Sequence, residues 1–213
     1  MPFNEHYKGK EIIQEHLKVH LSNIDFVPGV GKGEPGGAIK FNGRQDSYVE
    51  IEANEQVQFD HSMSILVYIY PYVSHTGPVV HYKPDGHGVQ MWIQGVIGVK
   101  GRLMARFNKR NLFFTSWLKA DVLNLAQWNF IGAAYDHVTG WATLYHDGLE
   151  VERRNIGRNL YLATRYKIRI GAVAIASLGS YYGEVACLQF YNKALEINEV
   201  MEAKDACNPG LCR

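Results

Sequence analysis

The sequence predicts an all-β protein, a two-sheet antiparallel jelly-roll sandwich with a short C-terminal helix. Three observations support this fold class. Apolar and aromatic residues recur at a spacing of two along most of the chain, which is the period of a strand with one buried face. Gly, Pro, Asn and Asp separate these runs at the short intervals expected in a sandwich. Residues 194–201 change to the three-to-four spacing of a helix.

The centre of the predicted fold is a meander of three antiparallel strands. These strands are predicted over residues 128–136, 141–147 and 149–154. The first connection ends in Thr139-Gly140, and the second is Asp147-Gly148, a strong signal for a tight hairpin. Three paired strands form a sheet that must bury one of its faces.

Further strands are predicted on both sides of the meander. They cover residues 38–43, 47–52, 64–70, 78–82, 88–93, 103–107, 112–115, 167–171 and 183–191. Asn42-Gly43 predicts that the first two of these strands pair with each other. Roughly a dozen strands with almost no helix indicate two packed sheets.

Residues 5–26 allow two interpretations. Leu17 and Leu21 lie at helical spacing, whereas together with Val19 they also alternate as in a strand. We favour a short helix that runs into a strand near Ile24.

The chain has the size and composition of one globular domain. Its 213 residues are 46% apolar and 12% aromatic, which is enough for a full-sized core. We assign residues 23–207 to the jelly-roll domain, residues 1–22 to an N-terminal extension and residues 208–213 to a C-terminal tail.

Charge and hydropathy argue against two classes of partner. The formal net charge of +1 is too small for a dedicated nucleic-acid-binding protein. The chain contains no run of eighteen or more apolar residues, so no membrane span is predicted. The first ten residues lack the apolar stretch of a secretory signal peptide.

The three cysteines are Cys187, Cys207 and Cys212. They are too few for a disulfide scaffold and lack the paired spacing of a zinc site. Their positions leave two alternatives open. Either all three are free or buried thiols, or one bridge from Cys187 to Cys207 joins the last strand to the C-terminal segment.

Seven segments in register resemble the laminin-G-like, pentraxin-like and concanavalin A-like jelly-roll superfamily. They are Ala38-Ile-x-Phe-Asn-Gly-x-x-x-Ser-Tyr-Val, Ser64-Ile-x-Val-x-Ile-x-Pro, Trp128-Asn-Phe-Ile-Gly-Ala, Tyr135-Asp-x-x-Thr-Gly, Leu144-Tyr-x-Asp-Gly, Ile170-Gly and Gly183-Glu-Val-Ala-Cys-Leu-Gln-Phe-Tyr-Asn-Lys-Ala-Leu. The resemblance covers residues 20–207.

A narrower resemblance concerns the segments that begin at Phe107, Arg153 and Cys187. They are similar to modules of invertebrate extracellular proteins, including the Pif-type molluscan nacre matrix proteins. This resemblance implies a secreted, extracellular location. In such modules the strand cysteine tends to pair with a C-terminal one, which favours the bridge between Cys187 and Cys207.

The superfamily resemblance also implies a structural Ca²⁺ held by loop carboxylates and carbonyls at the rim of the sheets. Such oxygen atoms are the ligands that this hard cation prefers. The candidate ligands are Asn42, Asp46 and Glu184. The alternative is that Asn42 and Asp46 only stabilise a turn.

Basic residues form the main candidate binding feature. The predicted anionic-ligand residues are Lys100, Arg102, Arg106, Lys109, Arg110, Arg153, Arg154 and Arg158. If the two groups lie on one sheet, they form a positive strip for acidic or sulfated glycans, acidic matrix proteins or calcium carbonate mineral. Laminin-G-like modules often bind sulfated glycans. The alternative is a dispersed set of solubilising charges balanced by acidic residues.

Glu50, Glu52 and Glu55 imitate the Glu-x-Asp-x-x-Glu pattern of laminarinase-like glycoside hydrolases, which share the jelly roll. The middle residue is Glu rather than Asp, and the motif lies early in the chain. We therefore do not predict catalysis at this position.

His75, His81 and His87 cluster near Asp85, but their spacing matches no zinc motif. No cysteine or serine lies in a recognisable nucleophile motif. We therefore predict an extracellular, non-enzymatic binding module for acidic or sulfated ligands. A lectin for neutral glycans is the second hypothesis, and a hydrolase is the third.

Overall fold

The computed structural model is an all-β sandwich, as predicted. It describes residues 17–28, 37–95, 100–110, 114–175 and 178–206. Over these residues it contains two seven-stranded antiparallel sheets and one α-helix, α1 (Ile197–Ala206). No helix in the described ranges is long and apolar enough to cross a membrane.

The strands of each sheet are ordered in space as follows. Sheet A contains β1 (Val19–Ser22), β4 (Tyr48–Ile51), β13 (Ile168–Ile170), β6 (Gly77–Tyr82), β7 (Gln90–Gln94), β8 (Gly101–Arg106) and β9 (Leu118–Leu123). Sheet B contains β12 (Leu149–Asn155), β11 (Trp141–His146), β10 (Asn129–Tyr135), β5 (Met63–Pro71), β14 (Tyr182–Tyr191), β3 (Ala38–Asn42) and β2 (Ile24–Val27).

The core lies between the two sheets and is built from alternate residues of each strand. On β8, Leu103 and Ala105 are buried, whereas Arg102 and Arg106 lie on the outer face. Among the largest side chains in this core are Phe41 and Tyr135, each fully buried. Truncation of an aromatic core residue to alanine typically costs about 3–5 kcal/mol.

A second apolar layer lies on the outer face of sheet B. Val200 and Ala203 of α1 belong to the same buried cluster as Tyr68 and Phe130 of the sheet. The Tyr68 hydroxyl donates a hydrogen bond to the carbonyl of Lys204 at 3.2 Å. The helix therefore covers part of this face.

The predicted central meander is confirmed as β10, β11 and β12, which pair in that order. Asp147 and Gly148 connect the last two strands with positive φ angles of 52° and 88°. Two successive positive φ angles characterise the tight turn that matches strand twist, which explains the Asp-Gly sequence.

The predicted pairing of residues 38–43 with 47–52 is wrong. β3 lies in sheet B between β2 and β14, whereas β4 lies in sheet A. The chain therefore crosses from one sheet to the other at Gly43, which has a φ of 77°. Asn-Gly predicted the turn correctly, but a turn does not determine whether the strand that follows it pairs with the strand before it.

The helix predicted before Ile24 is not found over residues 17–23, and residues 5–16 of that prediction lie outside the described ranges. Instead β1 pairs with β4, because Val19 and Leu21 alternate and pack against the core. The sandwich thus begins inside the predicted N-terminal extension. The C-terminal helix is observed, shifted to Ile197–Ala206.

The strand predicted over residues 112–115 is wrong where the structure describes it. Phe114 and Thr115 of the predicted strand 112–115 are not in a strand, and residues 111–113 lie outside the described ranges. β9 follows immediately and pairs with β8. Its sequence Leu-Lys-Ala-Asp-Val-Leu alternates apolar and charged residues, so the signal for β9 was present.

Candidate functional site

The two predicted basic groups lie on different sheets. Arg102 and Arg106 share the outer face of β8 in sheet A, as predicted. Arg153 and Arg154 belong to β12 in sheet B. The condition for a single positive strip across one sheet is therefore not met.

Acidic side chains pair with several of the predicted cations. Arg102 donates two hydrogen bonds to Asp121, from Nε at 2.6 Å and from Nη2 at 2.9 Å. Arg154 pairs with Glu152 at 3.2 Å on the neighbouring part of β12. These contacts fit the alternative of surface charges balanced by acids.

Asp60 binds two arginines that are distant in the sequence. Arg165 and Arg110 both form ion pairs with its carboxylate. The hydrogen bond from Arg165, together with that from Arg110, outweighs burial and lowers the pKa of Asp60. Arg110 therefore cross-links loops of the fold.

The remaining predicted basic residues are Lys100, Lys109 and Arg158. The Lys100 ammonium donates a hydrogen bond to the Asn124 side chain. Lys109 forms an isolated β-bridge with Leu162. Arg158 is exposed in the segment after β12. The fold thus places these three cations in separate local surroundings.

Glu50 is part of a buried ionic cluster. It is 7% exposed, and it accepts hydrogen bonds from Arg169 Nε at 2.5 Å and Lys167 Nζ at 3.0 Å. Burial raises the pKa of Glu50, but the bonds from Arg169 and Lys167 outweigh it and leave the pKa below 4.5. A glycosidase acid requires the opposite shift. Glu52 and Glu55 are exposed beyond β4, so a paired carboxylate site is not assembled.

The predicted histidine cluster does not converge. His81 is buried on β6, whereas the exposed His87 contacts the ring of Phe114 with centroids 4.6 Å apart. Within the described ranges, no group of three or more His, Cys, Asp or Glu side chains is placed to hold a metal ion.

The candidate calcium ligands serve other partners. Asn42 Oδ1 accepts a hydrogen bond from the Arg44 backbone N–H at 2.9 Å, and Arg44 Nε lies 3.3 Å from Asp46. Glu184 accepts a hydrogen bond from the Tyr72 hydroxyl at 2.7 Å. This arrangement fits the turn alternative and does not fit a shared calcium site. Calcium binding stays a prediction.

Cys187 lies in the apolar layer outside sheet B and is 7% exposed. Its sulfur accepts a hydrogen bond from Gln189 Nε2 at 3.4 Å. Cys207 and Cys212 lie outside the described ranges. The pairing of Cys187 with Cys207 therefore stays a prediction.

A cleft of about 550 Å³ opens on the outer face of sheet B. It is lined by β10, β11 and β12, by Ser62, by the turn before β11 and by the segment that leads into α1. The principal lining residues are Asp136, Thr139, Trp141, Thr143, Tyr145, Glu150, Arg153, Lys193, Leu195 and Glu196. Of these, only Arg153 was predicted as a binding residue.

Hydrogen bonds to the sheet fix the segment that forms one wall of the cleft. The fully buried Ser64 hydroxyl donates to the carbonyl of Lys193 at 2.8 Å and accepts from the N–H of Leu195 at 2.9 Å. The Tyr145 hydroxyl donates to the carbonyl of Leu195 at 3.0 Å. The cleft is therefore a preformed feature of the fold.

Trp141 and Arg153 form the opposite edge of the cleft. The Trp141 side chain is 38% exposed, and the Arg153 guanidinium lies 4.8 Å from its ring centroid. Thr143 lies opposite Arg153 in the strand register. Along β11 it lies between Trp141 and Tyr145 on the same face. An indole beside hydroxyl and charged groups can bind an apolar ring face and also form hydrogen bonds.

The sequence contains a signal for this cleft in the alternation of β11. Ala142 and Leu144 of β11 are fully buried in the core between the sheets. Trp141, Thr143 and Tyr145 must then share the outer face, because strand residues alternate. A tryptophan on the outer face of a central hairpin indicates a contact surface.

These features define a jelly-roll domain with an aromatic and polar cleft on one outer face. Residues 42–201 match a laminin-G family model described as the concanavalin A-like lectin/glucanases superfamily. The chain therefore belongs to this family. No curated protein matches its sequence.

Three solved structures illustrate the shared fold. The binding domain of Paraclostridial Mosquitocidal Protein 1 is 14% identical, with a TM-score of 0.72 over 90% of this chain and 48% of that chain. The botulinum neurotoxin serotype G binding domain is 13% identical, with a TM-score of 0.68 over 87% of this chain and 45% of that chain. A heptameric SAP-like pentraxin from Limulus polyphemus is 16% identical, with a TM-score of 0.63 over 77% and 79%.

The chain spans about half the length of the two toxin domains that it matches. At these identities, the similarity shows the fold alone. The ligand must therefore be inferred from the surface of this chain.

Proposed function

We propose that the chain is an extracellular, non-enzymatic glycan-binding module whose cleft beside Trp141 binds a neutral sugar. The observation that carries this proposal is the position of the indole, which is 38% exposed at the edge of a preformed cleft. The sequence predicts acidic ligands first and neutral glycans as the second hypothesis. Because Arg102 and Arg154 are paired with acidic side chains, we rank neutral glycans above acidic ligands.

The chemistry of the cleft suits a sugar ring. The C–H face of a pyranose is apolar and packs on an aromatic ring, while its hydroxyl groups require donors and acceptors at the rim. Trp141 supplies the aromatic surface, and Thr143, Glu150 and Arg153 supply polar groups. Aromatic anchors in such positions often contribute most of the binding energy.

The charges around the cleft support a neutral ligand. Its lining contains two cations, Arg153 and Lys193, and three acids, Asp136, Glu150 and Glu196. Lys193 is also paired with Glu199. A polyanion would gain little from this balance of charges.

The extracellular location rests on the predicted bridge between Cys187 and Cys207, since structural disulfides persist mainly in oxidising compartments.

The description of the family includes both lectins and glucanases. Because Glu50 is held in an ionic cluster, the described residues favour binding over hydrolysis.

The test is a glycan array that contains neutral, carboxylated and sulfated glycans, probed with the wild type and with Trp141→Ala. We expect neutral glycans to bind with little dependence on salt, and the variant to lose about tenfold or more in affinity. Tyr161→Ala is the matched control, since Tyr161 is 52% exposed but does not line the cleft. Unchanged binding by Trp141→Ala would contradict the proposal.

A further inference from the structure

Four aromatic side chains form an aromatic ladder on the outer face of sheet B, in the order Trp128, Tyr70, Tyr72 and Tyr182. Tyr70 and Tyr182 belong to β5 and β14, Tyr72 directly follows β5, and Trp128 directly precedes β10. None of the four lines the cleft beside Trp141. The inference below therefore does not depend on the proposed function.

The aromatic ladder lies beyond the part of this face that α1 covers. Tyr68, two residues before Tyr70 on the same face of β5, is 6% exposed, and its hydroxyl reaches the last turn of the helix. Tyr70 itself is half-buried. Trp128 packs against the same apolar layer and is also half-buried. The fold thus leaves the aromatic ladder partly open to solvent.

Each ring of the aromatic ladder stands on edge against the next. The ring centroids of Trp128 and Tyr70 are 5.5 Å apart, and their planes cross at 73°. Tyr72 lies 5.8 Å from Tyr70 at 71° and 5.0 Å from Tyr182 at 79°. Aromatic pairs prefer such edge-to-face geometry, so the packing of the rings on one another fixes their positions.

The aromatic ladder carries hydrogen-bond donors that the fold does not use. The Tyr72 hydroxyl donates to Glu184 at 2.7 Å. Among the described residues, no acceptor pairs with the hydroxyl of Tyr70, the hydroxyl of Tyr182 or the indole N–H of Trp128. These donors are therefore available to a ligand.

The charges beside the aromatic ladder alternate in sign. Glu184 lies opposite Lys40 in the strand register, and Lys40 lies opposite Asp25. Lys40 Nζ also lies 5.8 Å from the ring centroid of Tyr72. Because this row mixes both signs, it attracts neither a polyanion nor a polycation strongly, and an uncharged ligand fits it best.

The orientation of the rings distinguishes between two kinds of uncharged ligand. A pyranose packs on an open ring face, as proposed for Trp141. In the aromatic ladder the edge of one ring lies against the face of the next, so notches between rings replace open faces. Grooves lined by aromatic rings are the sites that recognise proline-rich segments.

A proline-rich segment also has the complementary hydrogen-bonding groups. Proline has no backbone N–H, and a polyproline II helix forms no internal hydrogen bonds, so its carbonyls accept from a partner. Two residues of this helix rise by roughly 6 Å, close to the spacing between the rings. We propose that the aromatic ladder binds an uncharged proline-rich segment of another protein in the polyproline II conformation.

The experiment titrates the folded chain with decaproline, with a Gly-Ser decapeptide and with cellohexaose, and measures each Kd by calorimetry. Tyr70→Phe keeps the ring and removes only the hydroxyl. We expect it to weaken decaproline binding roughly fivefold, the scale of one hydrogen bond. Tyr161→Phe is the matched control, because Tyr161 is 52% exposed and lies outside the aromatic ladder, and it should bind as the wild type does.

Three results would overturn the proposal. They are absence of decaproline binding, equal affinity for decaproline and the Gly-Ser peptide, and equal losses in Tyr70→Phe and Tyr161→Phe. Cellohexaose binding that falls in Tyr70→Phe would assign the aromatic ladder to a glycan and would also overturn it.

A second readout follows the indole N–H of Trp128 by nuclear magnetic resonance. Its resonance, assigned by its loss in Trp128→Phe, should shift on addition of decaproline, and that of Trp141 should not. An unshifted Trp128 resonance at saturating decaproline would contradict the proposed contact.

The two proposals can fail separately. Trp141→Ala should leave the decaproline titration unchanged, because Trp141 belongs to the cleft and not to the aromatic ladder. A loss of decaproline binding in Trp141→Ala would place the peptide in the cleft and contradict the assignment to the aromatic ladder.

Discussion

Arg106 and Arg153 both place a guanidinium against a tryptophan ring, but on opposite outer faces of the sandwich. Arg153 is exposed and lies at the edge of a cleft that also contains Glu150. Arg106 is half-buried between two rings, and no acid among the described residues pairs with it. The same pair of residue types therefore suits different ligands.

We infer that the acids around an arginine influence its binding role more than its aromatic contact does. Stacking on a ring orients a guanidinium in both places. An acid in the same site offsets the positive charge, so the arginine can still donate hydrogen bonds to neutral groups of a ligand. Without such an acid, the cation gains most from an anionic ligand.

Loss of the predicted disulfide should lower the free energy of unfolding most. Cys187 lies in the apolar layer outside sheet B. A bridge from Cys187 to Cys207 closes a loop of about twenty residues, worth ~3 kcal/mol on the chain-entropy model. We expect Cys207→Ala to lower the free energy of unfolding by about that amount in urea titrations. The contacts of Arg106 should remain in the folded variant, since sheet A is not touched.

Peptide mapping without reduction tests the pairing directly. The expected product is a Cys187 peptide linked to a Cys207 peptide. Recovery of Cys187 alkylated, or linked to Cys212, would contradict the assignment.

Glu50→Gln is expected to have the next largest effect, and it perturbs the sheet A face. The substitution keeps the shape but leaves Arg169 and Lys167 without their carboxylate, which we expect to cost about 2 kcal/mol at neutral pH. The pKa of Glu50 is lower in the folded state than its ordinary value of 4.5. Its stabilising contribution is therefore present above pH 4.5 and is lost as the pH falls through the folded value.

Urea unfolding of the wild type and Glu50→Gln across pH 2 to 7 measures this contribution. The difference in stability should shrink toward the acidic end, and binding of neutral glycans in the cleft should not change. A difference that is constant over this pH range would show that the carboxylate charge is not involved.

The sequence allowed prediction of the strands better than of their neighbours. The meander and its Asp147-Gly148 turn follow from local preferences, so they were found. The crossing at Gly43 was missed because an Asn-Gly turn is equally compatible with a hairpin and with a change of sheet. β1 was missed because Leu17 and Leu21 lie at helical spacing and, together with Val19, also alternate as in a strand, so the choice depends on pairing with β4.

The candidate sites depended on contacts between distant residues. Asp60 lies far from Arg110 and Arg165 in the sequence, so their pairing could not be predicted from the local charge pattern. The basic residues around Arg106 were predicted to bind an anionic ligand, and this stays a prediction. Which of them lacks an acid became clear only once β9 placed Asp121 next to Arg102.

Asp121→Asn should change binding less than Trp141→Ala does, because it only removes the carboxylate that pairs with Arg102. Both side chains of this pair are at the surface, so the melting temperature should stay nearly unchanged. Removal of the carboxylate leaves a second unpaired arginine on the outer face of β8. We expect trigalacturonate, as an acidic probe, to bind roughly twofold to fivefold more tightly, as for one surface charge interaction.

Calorimetry with the same acidic probe measures this change, with neutral glycan binding as the control for the cleft. Because Arg102 alone lacks the two flanking rings, the gain should depend on Arg106. We therefore expect Asp121→Asn combined with Arg106→Lys to bind no better than Arg106→Lys. An equal gain in both backgrounds would mean that the face responds to net charge alone, and the distinction drawn between a paired and an unpaired arginine would not hold.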